Sequence, residues 1–183
     1  MTDVVTRAGT EGDTEAFFAY LEDHLSDSGV GETPLFQPAP RNESGVTEQM
    51  VQKFSEGIRK ELGVPGWVRF WLAFSGDRIV GHIDLRARPE TYATHRALLG
   101  MGVDRSFRRV GLGSRLLSEV LAWAAEHSSL EYVDLRVVST NAAARRLYAR
   151  HHFETCGEIE DLFRIDGESM SSTLMVRRVV LAE

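Results

Sequence analysis

Cysteine is almost missing from this chain: Cys156 is the one cysteine in 183 residues. A lone cysteine excludes an internal disulfide and fits a reducing compartment, so a cytoplasmic location is expected. Cys156 itself reads as a packed cysteine rather than a nucleophile. There is no Cys-x-x-Cys and no His-Glu-x-x-His, so neither a structural nor a catalytic metal is expected. No run of about twenty apolar residues occurs, so no membrane-spanning helix is expected. The first residues, MTDVVTRAGT, lack the charged start and apolar core of a secretory leader. Positive charge is also scarce. Lys and Arg number 21 against 27 Asp and Glu, for a net charge of -6, which argues against a dedicated nucleic-acid binder. Gly-x-Gly-x-x-Gly and Gly-Lys-Ser/Thr are both absent, which removes the dinucleotide fingerprint and the NTP-binding P-loop.

What is present is ordinary for a globular domain: 43% hydrophobic and 26% charged residues, enough chain for one substantial core over residues 1–183. The most informative stretch runs from Gly100 to Leu121, GMGVDRSFRRVGLGSRLLSEVL. Ala97 to Val103 reads as a buried strand, with Leu99, Met101 and Val103 on one face and Gly100 and Gly102 on the other. Two glycines on one face weaken a strand and make sense where another chain, a ligand or a close-packed neighbour lies against the backbone. After a polar turn, Gly111-Leu112-Gly113 opens an amphipathic helix carrying Leu112, Leu116, Leu117, Val120, Leu121 and Trp123/Ala124. A helix start with little side chain presents free N–H groups, from Leu112, Gly113 and Ser114, to an anion. Arg108 and Arg109, just ahead of Val110, can add charge-assisted hydrogen bonds. The order strand, arginines, glycines, helix reads as a phosphate cradle.

Arg108-x-x-Gly111-x-Gly113 resembles the Gln/Arg-x-x-Gly-x-Gly/Ala motif of the GNAT N-acetyltransferases, which bind acetyl-CoA. A second stretch is similar to another pattern of that family: Asn141-x-x-Ala144-x-x-Leu147-Tyr148-x-Arg150-x-x-Phe153, with His152 where the family has glycine. That position needs a left-handed backbone, which histidine tolerates better than bulky residues do. The resemblance implies a mixed three-layer α-β-α fold with a mostly antiparallel sheet of six to seven strands and about four helices. It places the acetyl-CoA-binding core at about residues 67–155. It also implies that Met101, Gly102, Val103 and the segment from Arg108 to Ser114 bind acetyl-CoA. Asn141 would contact the pantetheine arm, and Tyr148 would lie near the sulfur as the catalytic residue. The implied reaction is direct attack of a primary amine, on a small molecule or a peptide, through a tetrahedral intermediate. A backbone N–H near Met101 to Val103 is the expected oxyanion donor. A non-catalytic acyl-CoA sensor on the same scaffold is the alternative, and a nucleotide-phosphate binder a weaker one.

Along the chain, Val4 to Arg7 reads as a strand, and Asp13 or Thr14 caps a helix over Ala16, Phe17, Tyr20, Leu21 and Leu25. Gly29 to Gly45 reads as a loop bordering the acceptor site. Thr47 opens a helix carrying Met50, Val51, Phe54 and Ile58 and ending near Gly63. Trp67–Ser75 and Arg78–Arg86 form a hairpin about Gly76-Asp77, with Ile79, Gly81, Ile83 and Leu85 on one face and His82 and Asp84 on a solvated one. Glu131–Ser139 is a strand, and Asn141 caps the next helix. Phe153–Ile165 and Ser169–Leu181 are strands joined at Asp166-Gly167. Their free edge offers a possible homodimer contact. The general base is open among Asp84, His82, Glu90, His95 and Asp161.

Overall fold

A computed structural model describes residues 3–31, 33–40 and 43–179. Seven strands form one sheet: β1 (Val4–Ala8), β2 (Val68–Ser75), β3 (Arg78–Ala87), β4 (Arg96–Val103), β5 (Tyr132–Val138), β6 (Glu154–Ile165) and β7 (Glu168–Arg178). Their order across the sheet is β1-β2-β3-β4-β5-β7-β6. Every neighbouring pair is antiparallel except β4 and β5, which run parallel. Four helices cover the two faces: α1 (Thr14–Ser26), α2 (Glu48–Gly57), α3 (Leu112–His127) and α4 (Ala142–Arg150).

The layers follow from the apolar patterns. Leu112, Leu116, Leu117, Val120 and Leu121 of α3 and Tyr148 of α4 join Val80, Ile83, Leu85 and Leu99 in one core. Phe17, Tyr20, Leu21 and Leu25 of α1 and Phe54 of α2 join Val68, Phe70, Leu72 and Ile79 in the other. Burying such side chains contributes about 1.5–3 kcal/mol each, which holds the helices to the sheet.

Local chemistry sets the element ends. Thr47 caps α2 by accepting the Met50 N–H at 3.2 Å. That helix stops at Gly57 rather than near Gly63, and the missing Cβ of Gly57 lets the Gly66 carbonyl oxygen and Val68 pack against its last turn. Asp166 (φ 51°) and Gly167 (φ 81°) make the last hairpin turn with two left-handed residues, as a tight primed turn requires. His152 at φ 61° adopts the left-handed conformation anticipated at the end of α4. The β7 strand ends at Arg178, so Val179 lies beyond it, and residues 180 and 181 of the expected strand fall outside the described residues.

Three sequence expectations change. Val80 is an extra residue in β3, where the β2–β3 register shifts between Ala73 and Phe74. A bulge of this kind reverses the alternation, so Ile79 packs with the α1–α2 core while Ile83 and Leu85 pack with α3. His82 and Asp84 are not on a solvated face; they are 5% and 6% exposed. Cys156 is exposed on β6 rather than packed. Among the described residues, no helix is long and apolar enough to cross a membrane.

Candidate active site

The site is organised by the departure of β4 from β5. The two strands pair only through Arg96, Ala97 and Leu98, while β4 continues to pair with β3 as far as Val103. Leu99 to Val103 therefore have a partner strand on one edge only. On that free edge, alternate backbone N–H and C=O groups are offered to whatever enters the gap. Met101, Gly102 and Val103 all lie along it.

At the end of β4 the chain makes a single 3-10 turn over Arg105–Phe107, capped by Asp104, whose Oδ1 accepts the Ser106 N–H at 2.8 Å. Two left-handed residues follow, Arg109 (φ 64°) and Gly111 (φ 90°). Left-handed backbone beside helical backbone turns successive N–H groups toward one side, a concave anion-binding arrangement. Gly111 is the N-cap of α3 and supplies no side-chain cap. The amides of Leu112, Gly113 and Ser114 therefore have no intrahelical acceptor. A Cβ on Gly111 would meet nothing within 4 Å, so the space over the helix start is open. Val110 beside it is 67% exposed. Gly113 serves a different purpose: a Cβ there would lie 2.9 Å from Met101 Cε and 3.1 Å from Leu147 Cδ2. Its absence lets α3 close on β4 and α4.

The two arginines diverge. Arg109 is exposed and has no ion-pair partner among the described residues, so its charge is available to a phosphate. Arg108 is turned inward. Its Nε donates to the Val103 carbonyl at 3.0 Å, and its guanidinium lies 5.2 Å over the Phe36 ring and 3.5 Å from Asp27. It ties the cradle to the segment that follows α1.

From α4, Asn141 Oδ1 accepts the Ala144 N–H at 3.1 Å and caps the helix. This leaves the side-chain amide donors for a ligand. Tyr148 packs its ring against Phe153, 5.7 Å between centroids, and its hydroxyl has no hydrogen-bond partner among the described residues. Burial pushes that hydroxyl up to about 12, with the negative charge of Asp84 adding to the effect. Ser114 and His151 join α3 to α4 through a 2.6 Å hydrogen bond.

On the α1 face of β4 the sequence reading missed a cluster. The glycine pair does not stand beside open space there. A Cβ on Gly102 would lie 2.6 Å from both His24 Nε2 and His82 Cε1, and one on Gly100 would lie 2.7 Å from Asp84 Oδ1. Tyr20, His24 and His82 form a triangle of rings with centroids 5.6–6.0 Å apart. Tyr20 Oη, His24 Nδ1 and His82 Nδ1 are buried without a hydrogen-bond partner among the described residues. Burial depresses both imidazoles to about 3, so both are neutral at pH 7. The sequence signalled His82 and Asp84 as base candidates and, through the glycine pair, room for something beside β4, but it gave no sign of Tyr20 or His24 there.

The segment after α1 roofs this cluster. Ser28 Oγ accepts the Phe36 N–H at 2.9 Å, and Phe36 stacks on His24 at 4.7 Å. Leu35 packs with Val138 of β5 and Ile165 of β6. The segment thus spans from α1 to the far side of the β4–β5 gap. The remaining base candidates lie elsewhere. Glu90 pairs with Arg88 at 2.8 Å, His95 is in the connector leading to β4, and Asp161 pairs with Arg164 on the edge strand β6. Among the described residues, no group of His, Cys, Asp and Glu is placed to hold a metal ion.

Residues 35–153 match the model of the acetyltransferase (GNAT) family. The catalytic subunit NAA10 of the N-terminal acetyltransferase A complex of Arabidopsis thaliana is 30% identical over 91 residues, 50% of this chain and 47% of that one. The chain thus spans just under half the length of that relative. The L-amino acid N-acetyltransferase AaaT of Escherichia coli is 26% identical over 62% of this chain and 69% of its own. Among solved structures, a GNAT-family acetyltransferase from Streptococcus pneumoniae superposes with a TM-score of 0.76 at 22% identity. That match covers 97% of this chain and all of the other.

Proposed function

This chain belongs to the GNAT family of acetyl-CoA-dependent acetyltransferases, and on that premise we propose that it moves the acetyl group to a primary amine on a small molecule or a peptide. The observation that carries the reading is the meeting of three things at one place: unpaired amides at the start of α3, a strand edge freed by the parting of β4 and β5, and the buried hydroxyl of Tyr148.

Acetyl-CoA supplies the activated thioester. Its diphosphate fits the open amides of Leu112, Gly113 and Ser114 with Arg109 beside them, where helix dipole and N–H groups favour negative charge. The pantetheine arm fits the free edge at Met101, Gly102 and Val103, with the Asn141 side-chain amide donating. A backbone N–H of this edge stabilises the oxyanion as the amine attacks and a tetrahedral intermediate forms. Tyr148 serves the departing sulfur. A hydroxyl near 12 facing a thiol near 8.5 makes full proton transfer uphill by roughly 5 kcal/mol. Tyr148 therefore first donates a hydrogen bond, and its proton crosses as the amide nitrogen sheds its own. For acceptor choice, the relatives' names specify amino acids and protein N-termini, both α-amines.

The test is thiol release from acetyl-CoA with a panel of free L-amino acids, short peptides with free N-termini and simple alkylamines. Turnover with at least one amine is expected. Tyr148→Phe should lower kcat by about 10²-fold or more at unchanged acetyl-CoA affinity. Tight acetyl-CoA binding without turnover across the panel would instead identify a binding module.

A further inference from the structure

Asp84 lies on β3 opposite Gly100 of β4. Its two carboxylate oxygens stand 2.7 and 2.9 Å from the point a Gly100 Cβ would occupy. Gly100 is the second residue past the last β4–β5 pair, so the carboxylate overlies β4 where the gap opens. Its Oδ2 is buried and forms an ion pair with Arg86 Nε at 2.8 Å. Resting on the N-acetyl transfer reading, we infer that Asp84 is the proton acceptor for the attacking amine, approaching the gap from the α1 face while Tyr148 approaches from the α4 face.

The other candidates fail on chemistry or place. His24 and His82, at about 3, are poor bases. Taking a proton from an α-ammonium near 8 disfavours them by about 10⁵-fold. Glu90 is exposed, and its pairing with Arg88 holds it down at about 2. Asp161 is on the sheet edge, held by Arg164 and Ser169. A second buried carboxylate, Asp134 of β5, stands at the last β4–β5 pair but is held by both Arg88 and Arg96. Asp84 is the buried carboxylate beyond that pair, where the gap opens. Burial raises its proton affinity against the opposing effects of Arg86 and the Gly100 N–H. The groups that act on it or feel its charge are Arg86 from β3, the Gly100 N–H from β4 and Tyr148 from α4. An acid and a base whose environments separate their roles on either side of one reacting carbonyl is the arrangement such transfers need.

In the transfer, the ammonium gives one proton to Asp84 and its freed lone pair forms the C–N bond. The C–S bond breaks, and the sulfur keeps the electron pair and receives the Tyr148 proton. The second amine proton restores Tyr148, and Asp84 releases its proton to solvent. One proton is produced per turnover.

Asp84→Asn is the test, with the best α-amine from the panel as acceptor. The specificity constant kcat/KM should fall by about 10²–10⁴-fold at pH 7, with acetyl-CoA affinity within about twofold of wild type. The residual rate should rise with pH as the amine deprotonates by itself. Stability supplies a second readout. A carboxyl whose folded pKa is raised favours folding below its unfolded pKa, and that contribution is lost as pH rises through the folded one. Burial therefore makes the ionised form costly in the folded state, a cost asparagine does not carry, and Asp84→Asn should match or exceed the wild-type Tm. Wild-type turnover in the variant would leave Asp84 with only its ion pair to Arg86 and overturn the inference, as would a fall in turnover matched by an equal loss of acetyl-CoA binding. Absence of turnover in the wild-type protein with every amine would instead overturn the transferase reading.

Discussion

On the α3–α4 side of β4, most of the polar groups offered to a ligand are main chain: the first amides of α3 and the free edge of β4, with Gly111 leaving open space above them. On the α1 side they are side chains: Tyr20, His24, His82 and Asp84, buried and crowded against Gly100 and Gly102. The two sides tolerate change differently for that reason. A helix start carries its orphan amides whatever packs around it, and water satisfies them when no anion is bound. Buried imidazoles and hydroxyls without partners cost free energy in every molecule that folds. That cost is held in place by the rings of Phe17 and Phe36.

The sharpest way to break this contrast is acid. His24 and His82 stay neutral in the folded protein down to about 3 but protonate near 6.5 when unfolded. Their folded pKa values are depressed, so the stability tied to their neutral forms is present above 6.5 and lost as pH falls toward 3. Each histidine should cost about 1.4 kcal/mol per pH unit below 6.5. Denaturant unfolding at pH 7.5 and pH 5 should differ by a few kcal/mol, and His24→Asn with His82→Asn should remove most of that difference. An unchanged slope in the double variant would show that the cluster is not what makes this side acid-sensitive.

Gly102 and Gly113 set the same contrast at single positions. A Cβ at position 102 meets two histidine rings at 2.6 Å, whereas one at position 113 meets Met101 Cε at 2.9 Å. The rings are wedged among Phe17, Tyr20 and Phe36, while the end of a methionine swings aside at little cost. Gly102→Ala should lose about 1–3 kcal/mol and Gly113→Ala under about 1 kcal/mol, measured by urea unfolding. Equal losses would mean that both faces are packed to the same tightness.

The same contrast explains what could be read from the residues in order. The cofactor side is local: Arg108 to Ser114 and Asn141 to Phe153 are continuous segments whose spacing carries their geometry, down to the left-handed His152. The strand and helix order was legible too, since each element's apolar period points to one core. The α1 side is assembled from Phe17, Tyr20, His24, Phe36, His82, Asp84, Gly100 and Gly102, and no spacing links them. His82 and Asp84 alternate with apolar residues in the way a solvated strand face does. Only the tertiary placement of α1 over β3 buries them. The Val80 bulge was invisible because valine is as good in a regular strand as in a bulge. Arg108 shows the limit of motif reading from the other direction, since its guanidinium anchors Val103 and Phe36 rather than standing free like Arg109.

The finest test separates two jobs of one residue on the cofactor side. Asn141 Oδ1 holds the Ala144 N–H as the cap of α4, and the same side chain is assigned to donate to the pantetheine arm. Serine retains a capping oxygen but has no amide donor. Asn141→Ala should cost about 1 kcal/mol of stability and Asn141→Ser only a few tenths. Both should weaken acetyl-CoA binding by a similar factor if the donor contributes a typical neutral hydrogen bond, about 1 kcal/mol or roughly fivefold in Kd. Calorimetric titration of acetyl-CoA beside urea unfolding reads the two effects separately. Should Asn141→Ser bind like wild type, capping alone would account for this asparagine, and the only side chains the α3–α4 side offers to acetyl-CoA would be Arg109 and the Tyr148 hydroxyl.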